Sequence, residues 1–166
     1  LQIRIIGGDR PQHGHAPMQT DRESPEIRVS ALVLRVDGAM LMVRKRGTTA
    51  FMLPGGKPEP GETPLQTIIR EVHEELDLTL DPADLEELGT FTADAANESG
   101  HRVVGDVFVH RGLPDDFDVR RISPHAELES VGWFEPDALP DDTPHRTFAP
   151  LTRWGVVPAL ARRDAD

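Results

Sequence analysis

Apolar residues recur along this chain in two distinct rhythms. From Ile27 to Val36 the run is rich in Val, Leu and Ile; Asp37-Gly38 interrupts it, and Ala39 to Arg44 resumes it. An Asp-Gly pair between two such runs marks a tight hairpin, because both residues tolerate the positive φ that the turn demands, so two paired strands are predicted. Phe51-Met52-Leu53 is a short apolar piece, stopped by Pro54-Gly55-Gly56 and a loop rich in Pro and Gly. The rhythm then changes. Leu65, Ile68, Ile69, Val72 and Leu76 stand at helical spacing and form one stripe. Thr63 suits the N-cap of that helix and Pro64 its first position. Further on, RVVGDVFVH (Arg102 to His110) and Glu129 to Phe134 predict strands, with a polar turn, DAANESGH, before the first of them. The last stretch, about Ala149 to Arg163, carries Leu151, Trp154, Val157 and Leu160 at helical spacing, and Gly155 and Pro158 predict a kink.

Strands interleaved with two helices predict an α+β fold: a mixed sheet covered on both faces. Residues 1–25 differ in character, with GGDRPQHGHAPMQTDRESP reading as an N-terminal extension or linker. The domain is expected over 26–163, with 164–166 as a tail. The chain does not begin with Met, and Met18 is a candidate natural start, which would leave 1–17 outside the native protein.

Composition narrows the chemistry. The absence of cysteine among 166 residues excludes disulfides, thiolate metal sites and cysteine nucleophiles, and is compatible with a cytoplasmic protein. No apolar run approaches the roughly 18 residues of a membrane span. The net charge of −11 opposes binding of a nucleic acid polymer, whose affinity for proteins comes largely from Lys and Arg. Phosphates handled by such a chain are expected to be small ones, bridged by divalent cations.

One helical segment concentrates the charge. Glu71, Glu74 and Glu75 lie within an arc of roughly 100° on the helix, away from the apolar stripe. Each like-charge pair of this kind costs about 0.2–0.5 kcal/mol on an isolated helix, and no lysine stands between Thr63 and Asp81 to relieve it. A solvated acidic face is one explanation. The other is a hard divalent cation, which turns the repulsion into coordination.

The flanking residues separate the two. Gly56 is followed after five residues by Glu62, then after seven by Arg70-Glu71-Val72-His73-Glu74-Glu75-Leu76-Asp77-Leu78. This strongly resembles the Nudix box, G-x5-E-x7-R-E-U-x-E-E-x-G-U. At roughly 7% per residue type, six fixed positions coincide about once in ten million placements. The box glycine is Asp77 here, at a helix end where a left-handed residue is expected and Asp is tolerated at some cost. Looser likeness extends from Ile27 to Leu160, including Phe51 to Lys57 and the stretch Glu127 to Phe134.

The resemblance implies an α/β/α sandwich whose loop–helix–loop binds Mg²⁺ (or Mn²⁺) beside a substrate diphosphate. Carried over by position, Glu71, Glu74 and Glu75 are the expected metal ligands, with the Gly55 carbonyl assisting, while Gly56, Glu62 and Arg70 shape the loop. The expected general base is Glu71, or a carboxylate from a later loop, Glu127 ahead of Glu129. Arg44, Phe51, Lys57 and His101 are candidate substrate contacts, each with a plainer structural explanation available. The reaction implied is hydrolysis of a phosphoanhydride in a small nucleoside-diphosphate-linked substrate, with a nucleoside triphosphate such as an oxidised deoxynucleotide favoured over ADP-ribose or a nucleotide sugar. A non-catalytic nucleotide-sensing module is the rival from another class, and a homodimer is a common assembly in the resembled family.

Overall fold

The computed structural model describes residues 24–166, so the proposed start at Met18 and nearly all of the expected extension lie outside the described residues. In chain order the strands are β1 (Glu26–Val33), β2 (Arg35–Val36), β3 (Ala39–Lys45), β4 (Ala50–Met52), β5 (Gly55–Gly56), β6 (Leu85–Asp94), β7 (Arg102–His110), β8 (Leu128–Phe134) and β9 (Thr147–Phe148). Helix α1 (Pro64–Leu76) follows β5, and α2 (Val157–Ala165) closes the chain.

Two sheets form, not one. The first has the order β5-β1-β7-β6, with β1 parallel to β7 and its other pairs antiparallel. In the second, β3 pairs with β8, β2 and β4, and β9 runs parallel to β4. The predicted hairpin is present: Asp37 and Gly38 have φ of 51° and 83°, and Leu41 donates its N–H to the Leu34 carbonyl at 2.9 Å.

The apolar run of β1 reads as continuous because both its faces are buried. Leu32 and Leu34 join Leu41, Val43 and Phe108 in a core completed by Ile68, Val72 and Leu76 of α1. Ala31 and Val33 point the other way, to a second core with Met40, Met42, Val107 and Val109, closed by Val156 and Leu160. Strand side chains alternate between faces, so every second residue serves a different helix. The result is an α+β sandwich with a helix on each side.

Two features depart from the sequence expectation. β6 is a ten-residue edge strand whose half-exposed, polar pattern (LEELGTFTAD) carries little apolar rhythm. The kink expected near Gly155 and Pro158 is a π-helical stretch, Leu151–Val156, in which the Val157 N–H reaches back five residues to the Thr152 carbonyl. Wide turns of this kind absorb a break in the ordinary hydrogen-bond ladder. Gly155 also allows close packing, since a Cβ there would sit 3.3 Å from the Phe91 ring.

Candidate active site

The site is organised by the start of α1. The Thr63 hydroxyl accepts from the Gln66 N–H at 3.2 Å, while the Gln66 side chain accepts from the Thr63 N–H at 2.9 Å, a reciprocal cap that fixes where the helix begins. One turn later Arg70 reaches back over the loop. It donates to both Glu62 oxygens at 2.8 Å, to the Lys57 carbonyl at 3.0 Å and to Glu71 at 2.8 Å, with Glu74 at 3.5 Å. The fork of a guanidinium suits this task because it binds a carboxylate at two points. Beside that cation the Glu62 carboxyl is held down at about 2.

Gly55 and Gly56 are required by close approach. A Cβ on Gly55, whose φ is 151°, would lie 1.9 Å from the Ser30 carbonyl oxygen; on Gly56 it would lie 2.5 Å from the Glu71 carboxyl carbon. The two glycines pair with β1 and lie directly under the helix carboxylates.

The three helix glutamates have different surroundings. Glu75 is 3% exposed, accepts from the Gly55 N–H at 3.0 Å, and is pushed up to about 8, chiefly by burial; the Gly55 N–H and the Lys45 charge oppose this, and Glu71 and Glu127 add to it. Glu71 is partly buried and raised, again by burial first, with Arg70 pulling the other way. Glu74 lies on the exposed face. Among the described residues no three His, Asp or Glu side chains converge on one point, since Arg70 engages Glu62, Glu71 and Glu74 while the Gly55 amide engages Glu75. The donor set is all carboxylate oxygen, and a charge is held on Glu75 only against burial and two neighbouring carboxylates. Both features fit a hard divalent cation, which supplies the missing counter-charge.

A cleft of about 470 Å³ opens against this loop. Its lining combines charged and glycine residues (Lys45, Gly55, Gly56, Lys57, Glu71 and Glu127) with apolar ones (Ile27, Val29, Val103 and Leu151) and the segment Asp94 to Glu98. Lys57 and Glu98 stand 3.9 Å apart across it.

Other sequence candidates are placed elsewhere. Arg44 bonds Glu129 at 2.9 Å and the Thr48 carbonyl at 2.8 Å, so neither Arg44 nor Glu129 lines the cleft. Phe51 packs with Phe134 and Phe148, its ring centroid 5.1 Å and 6.1 Å from theirs, in the aromatic part of the second core. His101 turns its Nδ1 to the Ser99 carbonyl at 3.2 Å. None of these three lines the cleft. Lys45, Asp94, Glu98 and the apolar Ile27, Val29, Val103 and Leu151 also line the cleft, and none of them is among the site candidates drawn from the sequence. Their signal is tertiary, because they are drawn from segments far apart in the chain.

Fold and box together define the class. Residues 24–154 match the NUDIX domain, and the chain belongs to that family. Its relatives include an RNA pyrophosphohydrolase of Halorhodospira halophila, 41% identical over 61 residues (37% of this chain, 33% of the relative), and one of Legionella pneumophila, 34% identical over 73 residues (44% and 41%). The aligned regions thus span between a third and about two fifths of these relatives' length. Among solved structures, the E. coli ORF135 protein superposes with a TM-score of 0.60 at 22% identity, covering 85% of this chain and 92% of that one. A NUDIX hydrolase from Nitrosomonas europaea gives 0.52 at 26% identity, over 68% and 74%.

Proposed function

We propose that this protein is an enzyme that hydrolyses a phosphoanhydride bond in a small nucleoside-diphosphate-linked substrate, with a nucleoside triphosphate such as an oxidised deoxynucleotide favoured. The observation that carries this reading is the cleft itself. Its lining brings Glu71 and Glu127 together with aliphatic side chains suited to a nucleoside, and the buried Glu75 is bonded to Gly55 of the same lining.

Glu71, Glu74 and Glu75, with the Gly55 carbonyl, would hold Mg²⁺ or Mn²⁺. When bound, the cation neutralises the diphosphate and polarises the phosphorus for attack. Glu127 accepts the proton of the attacking water as general base; it is preferred to Glu129 because only Glu127 of the two lines the cleft, and to Glu71 because that carboxylate is held by Arg70 and assigned to the metal. Lys57, at the mouth, meets the phosphate charge once released from Glu98. Arg70 and Glu62 hold the loop against the helix, so that the two glycines keep the backbone close beneath Glu71.

ADP-ribose and nucleotide sugars bring the same diphosphate and remain the alternative substrates. The relatives named as RNA pyrophosphohydrolases suggest a 5′-phosphorylated RNA end as well, yet a net charge of −11 repels a polyanion. A sensing module without turnover is the non-enzymatic rival.

A panel of nucleoside triphosphates, 8-oxo-dGTP, ADP-ribose, nucleotide sugars, dinucleoside polyphosphates and a 5′-triphosphate RNA, each with Mg²⁺, tests the reading through phosphate or monophosphate release. E74Q/E75Q should abolish metal-dependent turnover while the protein stays folded by circular dichroism. Unchanged turnover in that variant would refute the metal assignment, and no turnover by the wild type on any substrate would favour the sensing module.

A further inference from the structure

Lys45 ends β3 at the point where its register with β8 slips. Arg44 faces Ser130 but Lys45 faces Leu128, so Glu129 is passed over. The slip sorts two cations and two carboxylates into separate pairs. Arg44 takes Glu129 outside the cleft, whereas Lys45 Nζ lies 3.5 Å from Glu127 Oε1 on the cleft wall. The backbone reinforces the second pair, because the Arg46 N–H donates to the Glu127 carbonyl at 2.9 Å. Glu127 lines the cleft together with Glu71, and its side chain is 65% exposed, free to swing toward water. Like charge drives it outward; the Lys45 ammonium is the group that draws it in. An ion pair this open to solvent adds little to folding, so its position beside the carboxylates points to another purpose.

We propose that Lys45 is a positioning residue for the reaction, holding the Glu127 carboxylate at the wall of the cleft beside Glu71 through their ion pair. This rests on the hydrolase reading given above, with Glu127 as base. It assigns Lys45 no contact with substrate: the lysine acts through the glutamate.

The test uses the full chain with saturating Mg²⁺ and a substrate the wild type turns over. K45M, K45R, E127Q and K45M/E127Q are compared in kcat, KM and Tm, with K45Q as a second neutral variant should K45M fold poorly. K45M is expected to lower kcat roughly tenfold or more, since a small misplacement of a reacting group is costly. KM should stay within about twofold and Tm should hold. K45R should recover most of the rate, and the double variant should be no slower than E127Q alone, because no base remains to be positioned. A K45M that raises KM at unchanged kcat overturns the inference by making Lys45 a phosphate contact, as do independent, multiplicative losses in the double variant. Wild-type turnover with K45M equally fast overturns this inference alone; no wild-type turnover at all removes the hydrolase reading and the role of Lys45 with it.

Discussion

Glu75 and Glu62 are two carboxylates of one motif with opposite electrostatic consequences. Glu75, buried beside Glu71, titrates at about 8 rather than the usual 4.5. A folded-state value above the unfolded one means stability that is present below the unfolded value and lost as pH rises through the folded value. The metal-free protein should therefore lose stability as pH climbs from about 4.5 to about 8. Glu62, held at about 2 by Arg70, works the other way: its contribution is present above 4.5 and lost as pH falls toward 2. E75Q, which carries no proton to lose, should gain Tm relative to wild type progressively across the upper window, and Mg²⁺ should raise wild-type Tm more at pH 8 than at pH 5. A Tm difference between E75Q and wild type that stays constant across that window would show that burial of this carboxyl has no such cost.

At the level of elements, α1 is set by its ends as much as by its stripe. Its cap at Thr63 and its stop at Asp77 bracket the carboxylates and hold them over the glycine loop. Asp77 adopts φ 52° and ψ 37°, a left-handed conformation that costs a residue bearing a Cβ. Its N–H still closes on the His73 carbonyl at 3.0 Å, a bond that glycine also makes. D77G should stabilise the protein by about 0.5–1 kcal/mol once the larger unfolded-state freedom of glycine is subtracted, and thermal denaturation should show Tm rising by roughly 1–4 °C. Turnover should be unaffected, because Asp77 does not line the cleft. A fall in Tm would mean that the aspartate side chain stabilises the helix end.

For the whole molecule, the charge of −11 meets a substrate that is itself anionic. Lys45 and Lys57 place positive charge at the cleft, yet the long-range field opposes approach. Salt shortens that field from about 30 Å at 0.01 M to about 8 Å at 0.15 M. With Mg²⁺ saturating, KM for a nucleoside triphosphate should therefore fall as NaCl is raised across that range, the reverse of the behaviour of a basic phosphate-binding protein. A KM that rises with salt would show that the local lysines dominate. The same field should make a 5′-triphosphate RNA a poorer substrate than the free nucleotide.

How legible each part was depended on how local its cause is. The hairpin at Asp37-Gly38, the cap at Thr63, the stripe through Ile68 and Leu76 and the spacing from Gly56 to Glu75 are short-range features, governed by turn geometry and helical period, and the sequence determined them by itself. The edge strand β6 was hidden because none of its residues is fully buried and its pattern is mixed. Two sheets in place of one, the packing of Phe51 against Phe134 and Phe148, and the register slip that parts Lys45 from Arg44 depend on contacts between residues far apart in the chain. Only the tertiary structure decided these, because which face of a strand is buried, and which lysine reaches which carboxylate, is fixed by the partner that packs against it.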